Sequence, residues 1–363
     1  MNMRHFFRFS YLFLVSALVL VACSKDDDSP IVDDDHGGSG EPYQYGYFVL
    51  NEGTFGNADA SVTFIGDNGI VHPEIFQTVN GNPLGDIAQS ISFEGDNAYI
   101  VVNGSNKIEV VDRFTFEHQA TLSTSLVNPR YIEFVGGKGY VSNWGDPSSG
   151  ADDFIAVINL DTFEVEQTIP VAEGPEKMVF SNGKLFVAHK GGWSFGNTVS
   201  VINPNNQSLE TTIEVLDTPD SLLAIGNQLY VLCSGVPSWM GDQATAGALL
   251  VIDITNYTVV DSYPFAASVD PMNLSHLGET LYFNTGNQIY RLSPSSPSGP
   301  SPIFTVSDHG ATGIYGLSVR GSQIYITDPK DYNSQGEIYI FTPTGELLHK
   351  HAVGIVPNGV YFH

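Results

Sequence analysis

From Tyr47 onward the chain repeats one short pattern, and that repetition limits the fold more than any other feature. The second segment of each copy opens on an aromatic residue. The copies read Tyr47-Phe48-Val49-Leu50, Tyr99-Ile100-Val101-Val102, Tyr140-Val141-Ser142, Phe186-Val187-Ala188, Tyr230-Val231-Leu232, Tyr282-Phe283-Asn284 and Tyr325-Ile326-Thr327. Successive aromatics stand 52, 41, 46, 44, 52 and 43 residues apart. A Val/Ile-rich third segment follows, as in Lys107-Ile108-Glu109-Val110-Val111-Asp112 and Thr198-Val199-Ser200-Val201-Ile202-Asn203. A Pro-led segment precedes the aromatic one, and a turn such as Asp161-Thr162-Phe163-Glu164 leads to a more polar fourth. Period-2 alternation in short β-branched and aromatic runs, punctuated by Gly, Asn and Pro, predicts strands. No window of a dozen residues carries helical periodicity. Four strands in about 45 residues, repeated seven times, make an all-β chain of four-stranded antiparallel blades, a seven-bladed β-propeller.

Ring closure is legible too. The first copy lacks its Pro-led strand, because the chain enters at Tyr45-Gly46-Tyr47 directly into the second. The last residues, Pro357-Asn358-Gly359-Val360-Tyr361-Phe362-His363, read as that missing strand. The C-terminus is therefore expected to supply the innermost strand of blade one, closing a propeller over 46–363 and removing an open sheet edge.

Residues 1–22 read as a secretory signal: Arg4 and Arg8 precede an apolar run over 11–22 broken only by Ser16. The run is shorter than the roughly 20 apolar residues of a membrane span. Cys23 follows Leu20-Val21-Ala22, which makes the cut site a lipobox and Cys23 the expected lipidated N-terminus. The blander alternative is an ordinary signal peptide with a chance Cys. Asp26, Asp27 and Asp28 come next, and such a run resembles the surface-export signal of lipoproteins in the Bacteroidota. Residues 23–45 are acidic with no apolar periodicity and are expected to form a disordered, self-repelling tether. Asp33-Asp34-Asp35-His36 within it reads as a solvated charge run rather than a metal site. The chain is thus expected in the outer membrane, lipid-anchored and facing outward, and touching the membrane only through that anchor.

Removing residues 1–22 leaves 12 Lys+Arg against 40 Asp+Glu, a net charge of −28. Nucleic-acid binding needs a basic face, so that class is excluded. Lipidation of Cys23 leaves Cys233 alone, so no intrachain disulfide is expected and stability must come from burial.

In a propeller the loops between second and third strands gather on one face with the blade-to-blade connections. Two such loops are short (103–106 and 284–287), and five are long: 51–59, 143–153, 189–197, 233–247 and 327–336. All three tryptophans, Trp144, Trp193 and Trp239, fall in the long loops, together with Phe55, Phe195, Met240 and Tyr332. Blade cores are filled by strand residues, so core packing does not explain this placement. Large aromatics on Gly-flanked loops suit a flat amphipathic binding surface; the competing reading is that each Trp folds back to plug its own loop. Asn51, Asn143 and His189 start three of those loops and join the candidate ligand contacts. Beneath them the blade-opening positions are expected to line the channel mouth: Asp86, Gln89, Arg130, Glu176, Lys177, Asp220, Met272, Asn273, Tyr315 and Asn358. Gln89, Arg130, Tyr315 and Asn358 are the candidate contacts there. A mixed polar floor under an aromatic rim suits a large, neutral, amide- or hydroxyl-rich ligand better than a small ion. Solvated pore-lining residues are the bland alternative.

Catalytic signals are weak. No Gly-x-Ser-x-Gly elbow, His-Glu-x-x-His or Walker loop occurs. Asp331-Tyr332-Asn333-Ser334-Gln335-Gly336 copies the first half of a calcium loop, but the twelfth position is Thr342 rather than Glu, so bidentate closure is missing. No cation near Cys233 in sequence argues for a reactive thiol. Neither a catalytic residue, a metal nor a cofactor is expected.

The repeat resembles the YVTN-type seven-bladed propellers, on Asn197-Thr198-Val199-Ser200-Val201-Ile202-Asn203 and Leu229-Tyr230-Val231, over 46–363. With the tether, and with Asn51-Glu52-Gly53-Thr54-Phe55 and Pro83-Leu84-Gly85-Asp86-Ile87-Ala88-Gln89-Ser90, the chain also resembles the surface cobalamin-binding lipoproteins of Bacteroidota. That resemblance implies capture of cobalamin or a related corrinoid and its delivery to an outer-membrane TonB-dependent transporter. A corrin is wide, largely uncharged and fringed with amides that Asn, Gln and Arg can bond. Two alternatives stay open: a protein-interaction scaffold or glycan-binding accessory of a surface uptake system, and a lactonase- or lyase-type enzyme on the same fold.

Overall fold

The computed structural model describes residues 40–267, 269–294 and 299–363. The segment 1–22, Cys23, Asp26 to Asp28 and the tether as far as residue 39 lie outside the described residues. The folded unit begins at Glu41, somewhat before Gly46. Tyr43 accounts for the difference: it is buried against Phe64 and Phe116, and its N–H donates to the carbonyl of Phe114.

Seven four-stranded antiparallel sheets follow one another along the chain. Blade two is representative, running from the channel outward as Ala88–Glu94, Asn97–Val102, Lys107–Asp112 and His118–Leu122. Blades three to six open on Pro129, Pro175, Pro219 and Pro271, and blade seven on Gly316. Neighbouring innermost strands touch in order around the ring, from blade one through blade seven and back to blade one. The closing strand, Pro357–Tyr361, pairs antiparallel with Gly46–Asn51, setting Val360 opposite Val49 and Tyr361 opposite Phe48. The molecule is a seven-bladed β-propeller sealed by its C-terminus.

Blade packing explains the composition of the second and third strands. In Gly46–Asn51, Phe48 and Leu50 join a core shared with Ile91, Ile100 and Val102 of blade two. Tyr47 and Val49 face the other way, into Tyr325, Ile338 and Ile340 of blade seven. In most blades both faces of the second and third strands are buried, as in Asn97–Val102 and Phe154–Asn159, so these strands read as apolar runs instead of alternating ones. Alternation survives only outside, as in Glu164–Pro170, where the strand is largely exposed. Each fully buried Val, Leu, Ile or Phe contributes about 1.5–3 kcal/mol of transfer free energy. One short helix, Ile75–Asn80, bridges blades one and two and buries Ile75 and Phe76; six residues are too few to show a helical period in the sequence.

Candidate functional site

Two backbone devices, repeated from blade to blade, build the channel mouth. The first is a bulge in the innermost strand. Register slips after Pro129, Pro175, Pro219 and Pro357, and equally after Ala88 and Met272. A bulge leaves an unpaired residue and re-aims its side chain. Here the released residues are Gln89, Arg130 with Tyr131, Glu176 with Lys177, Asp220, Asn273 with Leu274, and Asn358, and all but the buried Leu274 line one cavity in the channel.

The second device is a left-handed residue just before the innermost strand, at Ile87, Asn128, Gly174, Thr218 and Val356. Its carbonyl accepts the N–H of the first residue beyond the second strand of the same blade. Glu52 donates to Val356, Asn103 to Ile87, Trp144 to Asn128, Lys190 to Gly174 and Ser234 to Thr218, at 2.8–3.2 Å. Positive φ at a β-branched residue is strained, and Ile87, Thr218 and Val356 all adopt it. One repeat position thereby delivers Glu52, Trp144 and Lys190 to the mouth.

The cavity has a volume of about 370 Å³. Its charges are largely paired. Arg130 donates through Nε and Nη2 to the Glu176 carboxylate at 3.2 and 2.9 Å, and Lys190 Nζ lies 2.9 Å from Asp220 Oδ1. Burial pushes the Asp220 carboxyl up, but Lys190, Lys177 and the Ser221 hydroxyl outweigh it and hold the group below the usual carboxylate range. Lys177 Nζ donates to Ser221 Oγ at 3.1 Å. Glu52 has no such cation. It accepts from the Tyr315 hydroxyl at 3.0 Å and from Asn358 Nδ2 at 3.3 Å. Burial raises its pKa, and Asn358, Tyr315 and Arg130 offset the rise only in part. Glu52, Tyr131, Lys190 and Tyr361 all line the cavity, and the sequence reading missed them.

The structure sorts the expected contacts into three groups. Gln89, Arg130, Tyr315 and Asn358 converge on the cavity, as do Glu176, Lys177, Asp220, Met272 and Asn273. Asp86 does not, because its carboxylate accepts the Gly56 N–H and pins loop 51–59.

Asn51, Asn143 and His189 form the second group and are corrected. All three are fully buried at the ends of second strands. Asn51 Nδ2 donates to Ser61 and Thr63, Asn143 bridges Val127 N–H and Val141 O, and His189 Nε2 meets Ser200 Oγ at 2.8 Å. Burial drives the His189 imidazole down to about 4, so it is neutral at physiological pH. These side chains hold blades together and face no ligand.

The rim aromatics form the third group. Trp144 is half-buried: its Nε1 donates to the Pro175 carbonyl at 3.1 Å, and its ring covers Arg130 with the guanidinium carbon 4.0 Å from the ring centroid. Trp193, 62% exposed, meets Trp144 edge-on with centroids 6.1 Å apart. Tyr332 meets Tyr315 in the same way at 5.9 Å. Phe55, Phe195 and Trp239 are exposed, and Met240 is half-buried on the turn Ser238–Gln243. Trp239 makes no ring contact among the described residues, so two tryptophans pair and the third stands apart.

Other chemistry is sparse. Cys233 is a buried free thiol pushed up to about 12 by desolvation. The Asp331 carboxylate is spent on the N–H groups of Asn333 and Ser334 and on the Ser334 hydroxyl. Among the described residues no group of three or more His, Cys, Asp or Glu side chains is placed to hold a metal.

The family model described as "Domain of unknown function (DUF5074)" matches residues 45–345. No curated protein matches the chain. Among solved structures, the chain is similar to a quinonprotein alcohol dehydrogenase-like protein from Bacteroides thetaiotaomicron, at TM-score 0.63 and 15% identity over 88% of this chain and 78% of that one. It is also similar to Kuenenia stuttgartiensis hydrazine synthase, at TM-score 0.62 and 15% identity over 75% of this chain and 88% of that one. A functionally unknown protein from Desulfotomaculum acetoxidans aligns at TM-score 0.63 and 14% identity over 86% and 97%. At such identities the likeness concerns the fold alone.

Proposed function

The chain belongs to the DUF5074 family, and from its propeller frame and channel mouth we propose a cell-surface capture protein that binds cobalamin or a related corrinoid. The observation that carries this reading is the Trp193–Trp144–Arg130 cluster, with the two indoles edge-on, standing beside a polar cavity at the same mouth. Exposed indole faces offer a platform for a flat, weakly charged ring system. The cavity's amide donors are mostly spent on the protein: Asn358 Nδ2 on Ala88 and Gln89 carbonyls, Gln89 Nε2 on Tyr131, and Asn273 Nδ2 on Asn284 and Tyr315. Their amide oxygens suit the N–H groups of primary amides, and Lys177 suits a carbonyl. A cavity of about 370 Å³ lies near the lower end of the range for small-molecule sites, about 300–1,000 Å³. A corrin ring would therefore lie across the rim and send one amide-bearing arm inward.

In this reading the lipobox at Cys23 and the acidic run after it carry the protein to the outer face of the outer membrane. The propeller then passes its ligand to a TonB-dependent transporter. Binding rather than catalysis is proposed, since the Glu176 and Asp220 carboxylates are held in ion pairs and Glu52 in hydrogen bonds. Sugars also stack on exposed indoles, which keeps a glycan-binding accessory as the second reading. Equilibrium dialysis of the unlipidated mature protein against cobalamin, beside a panel of oligosaccharides, separates the two. Saturable cobalamin uptake at micromolar concentration is expected; uptake of oligosaccharide alone would replace the corrinoid reading with the glycan one.

A further inference from the structure

The six charged side chains of the channel cavity are Glu52, Arg130, Glu176, Lys177, Lys190 and Asp220. Formally they cancel, but they are not evenly distributed. Arg130 and Glu176 neutralise each other as a two-point pair. Lys190 and Asp220 form a second pair. Lys177 has no carboxylate of its own among the described residues: its ammonium donates to the Ser221 hydroxyl, which in turn donates to Asp220, the carboxylate already paired with Lys190, so two lysines share one acid. That wall therefore carries an excess positive charge with spare N–H donors.

The left-over negative charge is Glu52. It follows the second strand of blade one, whereas Lys177 and Lys190 belong to blade four and Asp220 to blade five. In a ring of seven touching innermost strands, blades four and five face blade one across the channel. Among the described residues no Lys or Arg forms an ion pair with Glu52, and Arg130, the cation acting on it, is already held by Glu176. Its other contacts are a phenol and an amide, so its carboxylate is desolvated and hydrogen-bonded without a counter-ion. A half-buried carboxylate in that condition gains from an incoming cation.

We infer that the cavity beneath the rim binds a zwitterion, a free amino acid or an unblocked short peptide, with its ammonium group at Glu52 and its carboxylate at Lys177. A polar lining, opposed unpaired charges and a volume of about 370 Å³ match a molecule of that size. The phenol rings of Tyr131, Tyr315 and Tyr361 in the same lining give an ammonium group further aromatic contact. The inference shares the mouth with the capture reading but needs no macrocycle on the rim, so either can stand without the other.

The test is calorimetric titration of the unlipidated mature protein with Gly-Gly, Gly-Phe and Gly-Gln, each also as its N-acetyl and C-amide derivative. Unblocked dipeptides are expected to bind, and either block should weaken binding about tenfold or more, as loss of a charge-assisted contact implies. Glu52→Gln should abolish the penalty for acetylation while keeping that for amidation. Lys177→Met should do the reverse. Melting curves establish that both variants are folded, and cobalamin titration of the same samples reports on the rim separately. No binding of any unblocked dipeptide at millimolar concentration, or equal binding of blocked and unblocked forms, overturns the inference whatever cobalamin does.

Discussion

The guanidinium of Arg130 is held between the Trp144 ring, 4.0 Å from its carbon, and the Glu176 carboxylate, 2.9 Å from Nη2. One side chain thus ties the rim of blade three to the floor of blade four. A desolvated cation–π contact is worth up to about 2 kcal/mol, and in the ion pair beneath it Glu176 is buried and Arg130 half-buried. Removing Arg130 strands a buried carboxylate, which costs about 3–5 kcal/mol. Arg130→Ala should therefore melt well below wild type, and adding Glu176→Gln should recover much of the loss. Equal melting of Arg130→Ala and wild type would show that the pair has no structural weight.

Closure by Pro357–Tyr361 gives a second expectation. This strand supplies Pro357, Gly359 and Val360 as buried residues and, among the described residues, is the partner of Gly46–Asn51 on the channel side. Deleting residues 357–363 should cost several kcal/mol against a domain total of roughly 5–15 kcal/mol. A truncated protein that melts at the wild-type temperature would refute closure.

The lower part of the channel predicts a pH effect. Glu133, lining a pocket with Glu94 and Tyr361, is pushed up to about 7 by burial and by Glu94, against one N–H from Phe180. The folded state holds a proton that the unfolded chain, with a glutamate pKa of about 4.3, has released. That contribution to stability is present at low pH and is lost as pH rises through about 7. Glu133→Gln should raise the melting temperature more at pH about 8 than at pH about 5. An equal shift at both values would show that Glu133 titrates normally.

Surface display has its own test. Cys23→Ala should release the protein from the membrane fraction, since Leu20-Val21-Ala22-Cys23 is the expected lipobox. Replacing Asp26, Asp27 and Asp28 by Ala should keep the protein lipidated but shield it from external protease. Continued cleavage of the triple variant by external protease would contradict surface export.

The blades were legible because each second strand carries an aromatic residue one or two positions after its start, and closure because Tyr47 has no Pro-led strand before it while Pro357 has no partner after it. The floor of the site was half legible. Gln89, Arg130 and Asn358 follow the blade-opening residue and could be placed by counting repeats. The rim was misread by one residue in blades one and four. Asn51 and His189 end their strands pointing into the blade, while Glu52 and Lys190, one position on, reach the cavity. In strand geometry a one-residue step reverses the face. Trp144 occupies the same repeat position as Glu52 and Lys190 and carries the same backbone hydrogen bond, so aligning the copies on Trp144 would have found both. The bulges and the left-handed turns at Ile87 and Val356 leave no such mark, because tertiary packing imposes them on residues that disfavour them.

Capture at the rim is tested most directly by titrating the unlipidated mature protein with cobalamin while following tryptophan fluorescence. Trp193 is 62% exposed and edge-on to Trp144, so a ring system settling there should quench both. Saturable quenching at micromolar concentration is expected, weakened about tenfold or more in Trp193→Ala. Trp193→Ala should melt as wild type does, whereas Trp144→Ala should melt lower, because Trp144 covers Arg130 and bonds the Pro175 carbonyl. Absence of quenching by micromolar cobalamin in a folded wild-type protein would contradict corrinoid capture.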